Sequence, residues 1–166
     1  MKLTLTLSTL LLLACSDAAA EAGADANAGA EANAEAAGSV AASPGTLALR
    51  MTGFRSGAGQ ALIAVFRGDD GFPGEPNKAW KQVVAKISGG RASVDLRDVP
   101  PGEYAVSVLH DENGNNQLDT NWIGMPKEGV GMSNNAKGRM GPPKYRDARF
   151  ELGAAGAVQD IKMVYL

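Results

Sequence analysis

From Thr46 to the C-terminus the sequence keeps returning to one pattern, a short run of alternating apolar and polar residues closed by Gly, Pro, Asn or Asp. A period of two puts successive side chains on opposite faces of a strand. Thr46–Thr52 sets Leu47, Leu49 and Met51 against Ala48 and Arg50. Arg91–Leu96 sets Ala92, Val94 and Leu96 on one face, and Gln159–Leu166 does the same with Ile161, Met163 and Tyr165. Ala61–Arg67 is apolar almost throughout, as a strand covered on both faces would be. Its Gly-rich link to the preceding strand predicts a hairpin between the two. Lys78–Lys86 fits a short helix or a strand. Further strands are predicted at Tyr104–Leu109 and Ala148–Leu152. No apolar stripe of core-helix length competes. The expectation is an all-β fold, a single antiparallel β-sandwich of about seven strands spanning residues 46–166. Phe72 and Trp80, in the turn-rich stretch after the second strand, are expected to plug the edge of its core.

The N-terminus reads differently. Lys2 followed by the apolar or hydroxylated run Leu3–Ala14 is too short to span a bilayer, which needs about 20 apolar residues, and fits a secretory signal over 1–14. It ends Leu12-Leu13-Ala14-Cys15, which resembles the bacterial lipobox, and Cys15 is the chain's only cysteine. Acylation of Cys15 would anchor the protein without a spanning helix, in the outer membrane if the host is Gram-negative, since Ser16 and not Asp follows. Cleavage near Ala20 is the alternative and would give a periplasmic or extracellular protein. One cysteine also excludes an intrachain disulfide. Residues 15–45 form an Ala-rich linker with Asp17, Glu21, Asp25, Glu31 and Glu35 and no base. Too few large apolar residues offset the entropy of ordering, so a disordered tether is predicted. The remaining Lys and Arg are scattered, which argues against nucleic acid as a partner.

Chemistry concentrates in His110–Met132, H-D-E-N-G-N-N-Q-L-D-T-N-W-I-G-M-P-K-E-G-V-G-M. A calcium loop of the EF-hand kind takes oxygen ligands at positions 1, 3, 5, 7 and 9. Here those are Asp111, Asn113, Asn115, Gln117 (through its carbonyl) and Asp119. Carboxylates and amides without sulfur suit Ca2+. Two positions depart: Asn116 stands where the tight turn takes Gly, and Trp122 where a bidentate Glu closes the site. Glu112 or Glu128 is the candidate substitute. The competing reading is that these Asp and Asn side chains cap their own turn.

His110 is the only histidine. Paired with Asp111 it would suit acid–base chemistry, yet neither Ser107 nor Ser133 lies in a nucleophile elbow. A loop-orienting role for His110 is the simpler expectation.

Two resemblances add to this. Leu96-x-x-Val99-Pro100-Pro101-Gly102-x-Tyr104-x-Val106 resembles the strand–turn–strand of transthyretin-like and carboxypeptidase-regulatory sandwiches, whose Pro-Gly turn delivers a central strand into the core, so the sandwich is expected to be immunoglobulin/transthyretin-like. The run from Val108 to Ala136, with Gly141–Phe150, resembles a family of secreted bacterial proteins, domain of unknown function 2141, over about 46–166. Its His-Asp-x-Asn-x-Asn and Gly-x-Pro-x-Glu-Gly motifs fall on His110, Asp111, Asn113 and Asn115, and on Gly124, Pro126, Glu128 and Gly129. The family's second loop glycine is Asn116 here, and its usual aromatic is Val130. The resemblance implies a compact β-sandwich in or outside the cell envelope and supplies no catalytic residues.

The first functional expectation is a non-enzymatic envelope module, membrane-held through its lipid, calcium-stabilised, and binding an envelope protein or glycan. The alternatives are an envelope hydrolase using His110, Asp111 and Glu128, and a purely structural spacer.

Overall fold

The structure, a computed structural model, describes residues 43–139 and 141–166. The leader, Cys15 and nearly all of the predicted tether lie outside them.

The described residues hold eight strands: β1 (Gly45–Thr52), β2 (Gln60–Phe66), β3 (Lys81–Ala85), β4 (Arg91–Val99), β5 (Gly102–Asp111), β6 (Val130–Met132), β7 (Phe150–Leu152) and β8 (Ala157–Lys162). They form two sheets. One runs β4-β1-β8; the other runs β3-β2-β5-β6, with β7 also paired to β5. The inward faces are those set by alternation. Leu47, Leu49 and Met51 of β1 stand beside Leu96, Val94 and Ala92 of β4. Across the core lie Ala61, Ile63 and Val65 of β2 and Tyr104, Val106 and Val108 of β5. Each fully buried aliphatic side chain here is worth about 1.5–3 kcal/mol. Tyr104 is fully buried, and its hydroxyl donates to the Pro100 carbonyl at 2.7 Å, so the Pro-Pro-Gly turn and the core strand are tied together.

Several expectations need correcting. β1 and β2 are not a hairpin; they lie in different sheets. Phe54 is buried after β1, and its N–H bonds the carbonyl of Gly90, just before β4, at 3.2 Å; the chain then passes through the Gly-rich link to β2 in the other sheet. The eight strands among the described residues agree with the expected antiparallel sandwich of about seven, with one departure: β1 pairs with β8 in parallel. Lys78–Lys86 resolves as a 3-10 turn, Pro76–Lys78, followed by β3. Part of the strand predicted at Ala148–Leu152 is instead the end of a single helical turn, α1 (Tyr145–Ala148), with β7 following. The last strand stops at Lys162, and beyond it only Val164 bridges to Val130. Ala61–Arg67 is largely buried on both faces, as read. Phe72 packs edge-on against Phe66 and Tyr145, and Trp80 against Tyr104, so both aromatics do close the margins of the core.

For function the central fact is placement. β5 is interior to its sheet and runs out at His110 and Asp111. The chain returns to the same sheet as β6, so residues 112–129 form a loop with both ends fixed.

Candidate functional site

Asp111 ends β5 fully buried. The strand stops there because its carboxylate takes over the backbone groups the turn leaves unpaired. One carboxylate oxygen accepts the N–H of Gly114 at 2.8 Å and of Asn115 at 3.0 Å. The other accepts the N–H of Asn116 at 3.0 Å and the Gln60 side-chain amide at 2.9 Å. Gln60 is its cross-strand neighbour on β2. Burial alone would push this carboxyl up; the bonds from Gln60, Asn116, Asn115 and Gly114 outweigh it and hold the group below its usual range. Asn116 adopts the left-handed backbone, φ 61°, that the turn requires, so its place at the glycine position is structurally met.

The amides repeat this on a smaller scale. The Asn113 side-chain oxygen accepts the N–H of Asn115 at 3.0 Å, and that of Asn115 accepts the N–H of Gln117 at 2.8 Å. Their NH2 groups converge on the two oxygens of Asp119, at 2.7 and 3.3 Å. Asp111, Asn113, Asn115 and Asp119 are thus brought into one hydrogen-bonded turn. Gln117 is exposed beside it.

Glu128 is buried under the loop. One of its oxygens accepts the N–H of Glu112 at 2.9 Å and the other the N–H of Asp119 at 3.1 Å. It clamps the two ends of the Asp111–Asp119 segment together. Glu112 instead faces Arg55, which donates to both of its oxygens at 2.7 Å; this pairing first, against the effect of burial, lowers the Glu112 carboxyl. Among the described residues no group of three or more His, Cys, Asp or Glu side chains converges as a metal site. Any cation here would rest on Asp119 and on amide oxygens, with Asp111 sharing lone pairs it already uses.

His110 is fully buried. Its Nε2 lies 3.0 Å from the Ala58 carbonyl, which fixes the proton there, and its Nδ1 lies 2.7 Å from the Tyr165 hydroxyl. The backbone N–H of Arg55 donates to that hydroxyl at 2.9 Å, and the Arg55 guanidinium lies over the Tyr165 ring at 4.7 Å. His110 is therefore a pin joining the connection after β1, the loop and the C-terminal segment. The backbone N–H of His110 also donates to the Gly129 carbonyl at 2.8 Å. Gly129 must be glycine, since a Cβ there would stand 2.5 Å from two carbons of the Tyr165 ring. Gly124 closes a tight turn with φ 79°, and Pro126 bridges to Thr120. Ser133 is buried, donating to the Ala148 carbonyl at 2.6 Å, and Ser107 faces the Pro73 carbonyl at 3.3 Å. Neither serine is hydrogen-bonded to His110.

Gln60, Arg55, Ala58 and Tyr165 complete this arrangement, and local spacing around His110 did not mark them. The one available signal was Tyr165, a large aromatic on the apolar side of the last alternating run. An open cleft of about 1850 Å³ is lined by Leu62, Val84 and Leu109 of the five-stranded sheet, by Asn116, Gln117 and Met125 of the loop, and by Lys137 and Arg139. His110, Asp111 and Glu128 do not line it.

A family model described as an uncharacterized protein conserved in bacteria (DUF2141) matches residues 49–160. No curated protein and no solved structure matched the chain.

Proposed function

The chain belongs to the bacterial DUF2141 family, and from that premise we propose that it is a non-enzymatic binding module of the cell envelope. Its sandwich holds the loop 111–128 as a rigid platform. One observation carries this: the groups that would do acid–base chemistry are already used in structure. His110 is fully buried with both ring nitrogens engaged. Asp111 and Glu128 are buried and spend their oxygens on backbone N–H groups. A general base must reach a substrate proton within about 2.6–3.2 Å, and none of these three borders the open cleft. The hydrolase alternative therefore has no support in this geometry.

In this reading calcium reinforces the platform at Asp111, Asn113, Asn115, Gln117 and Asp119. Rotating the Asn113 and Asn115 amides by half a turn would turn their oxygens, in place of nitrogens, toward Asp119. Two ligand carboxylates give the weak affinity of extracellular modules, roughly 0.1–1 mM. At calcium tenfold above Kd the domain gains about 1.4 kcal/mol, a melting-point rise of roughly 5 °C. Melting with calcium and with chelator measures it; coincident curves at several times the highest expected Kd would remove calcium from the account and leave the platform.

Residues 1–14 direct export, acylated Cys15 anchors the protein, and 16–45 tether the domain. Fractionation of cells carrying Cys15→Ser is expected to move the protein out of the salt-washed membrane fraction. Retention there would mean that Cys15 is not the sole membrane attachment.

A further inference from the structure

Beyond Asp119 the loop projects a second small structure whose composition is unlike that of a solvent-facing turn. Asn121 builds it. Its backbone N–H donates to the Met125 carbonyl at 2.8 Å, and its carbonyl accepts the Gly124 N–H at 3.0 Å. Its side-chain oxygen accepts the N–H of Ile123 at 3.0 Å and of Met125 at 2.9 Å. The Thr120–Pro126 bridge and the Lys127 N–H to the Asp119 carbonyl, at 2.9 Å, close the base. Turns of this kind usually present Gly, Asn, Asp, Ser or Pro to water. This one presents Trp122, 94 % exposed, and Ile123, 60 % exposed, flanked by the exposed side chains of Leu118 and Met125. Hydrogen bonding to Asn121 holds the backbone so that these side chains stay outward. An exposed apolar cluster of this kind marks a surface that something else covers.

The charge beside it indicates what. Met125 and Pro126 share a cleft with Lys137 and Arg139. From Gly129 to Arg146 the chain carries Lys137, Arg139, Lys144 and Arg146 and no acid. Of these only Arg146 is in an ion pair among the described residues, and Lys127, at the foot of the tip, is in none. The loop's carboxylates keep their charge but are directed at the loop itself: Asp111 and Glu128 at backbone N–H groups, Asp119 at two amides, and Glu112 at Arg55. The tip itself is aromatic and aliphatic, with Lys127 at its foot and Lys137 and Arg139 along the cleft that Met125 lines.

We propose that the Trp122–Ile123 turn is a membrane-contact tip, entering the interface of an anionic bilayer while Lys127, Lys137 and Arg139 meet the headgroups. A tip with its apolar side chains at the apex needs a matching hollow in a protein partner, whereas a bilayer yields to it. Trp is favoured at the headgroup boundary, and Lys and Arg can lay their stems on apolar surface with the charge outward. The inference rests on the reading of the protein as an envelope module and names what that module touches. It does not require the Cys15 anchor.

The test uses the full chain carrying Cys15→Ser, so that no acyl group contributes, and Trp80→Phe, so that Trp122 is the only tryptophan. The probes are phosphatidylcholine vesicles with and without phosphatidylglycerol, bearing brominated acyl chains. The expected result is a blue shift of Trp122 emission and quenching by bromine, both stronger with phosphatidylglycerol. Ile123→Asp should weaken binding by about tenfold or more. Lys137→Glu with Arg139→Glu should weaken it by roughly fivefold per residue and abolish the preference for phosphatidylglycerol. Absence of quenching overturns the proposal. So does quenching indifferent to both lipid charge and the two charge reversals. So does concentration-dependent self-association that Ile123→Asp abolishes without any quenching, which would assign the tip to a second copy of the chain. Retention of Cys15→Ser protein in salt-washed membranes that Ile123→Asp abolishes would be the contact of the tip, whereas retention that survives Ile123→Asp would count against the Cys15 anchor alone.

Discussion

Replacing Asp111 with Ala is expected to destabilise the domain by about 3 kcal/mol, close to the low end for breaking a buried, hydrogen-bonded carboxylate. Four donors lose their acceptor at once: the N–H groups of Gly114, Asn115 and Asn116 and the amide of Gln60. The low end applies because Gly114, Asn115 and Asn116 are exposed residues that can turn to water. Asp111→Asn keeps one acceptor and sets an NH2 against donors, so about 2 kcal/mol is expected. Asp119→Ala, whose partners are two exposed amides, should cost under about 1 kcal/mol. Urea denaturation of the three variants checks the order. The same carboxylate sets an acid limit. The folded protein holds Asp111 below its usual value, and Glu112 likewise. A depressed carboxylate contributes stability that is complete above the unfolded value, about 4, and is lost as pH falls through the folded one. Stability should therefore decline below about pH 4, and less steeply in Asp111→Asn. Equal acid sensitivity in that variant would mean other groups carry the effect.

Replacing Glu128 with Ala is expected to cost about 2–3 kcal/mol. Its two oxygens join Glu112 and Asp119, so their loss releases both ends of the Asp111–Asp119 segment while leaving the strands intact. Glu128→Gln keeps one acceptor and should cost about half as much. Because Asp111 and Glu128 hold one loop, their losses should not add; a coupling of about 0.5–1 kcal/mol is expected in the double variant. Strict additivity would mean that the two carboxylates hold independent pieces of structure. A loss of less than about 0.5 kcal/mol in Glu128→Ala would mean that its two bonds are replaced by water at no cost.

The sequence made the strands and the loop legible to different depths. Alternation in β1, β4 and β8 set inward and outward faces correctly because a half-buried strand imposes that period on its own residues. Pairing is another matter. β1 lies between β4 and β8, whose paired residues are 39 or more positions distant in the chain (Thr52 to Arg91 at the nearest), and no local signal distinguishes that from a hairpin with β2. The parallel β1–β8 pair was hidden for the same reason. In the loop, the spacing of Asp111, Asn113, Asn115 and Asp119 was visible because those residues serve their own turn. Glu128 was visible as a group linking the loop to the stretch after it, though as a candidate ligand and not as a backbone clamp. Gln60, Arg55 and Tyr165 were not visible, since their roles come from the β2–β5 register and from where the last segment crosses the loop. Trp122 registered only as the wrong residue for a twelfth ligand; its exposure follows from the turn that Asn121 builds.

The central claim is that two buried carboxylates hold residues 111–128 as a rigid platform. Residue-resolved amide hydrogen exchange tests it most directly. The amides of Gly114, Asn115 and Asn116, bonded to Asp111, and those of Glu112 and Asp119, bonded to Glu128, are predicted to be protected in the full chain without added calcium. Glu128→Ala should strip protection from Glu112 and Asp119 first, while the β2–β5 ladder keeps its own. Exchange of all five amides at unprotected rates in the parent chain would contradict the account.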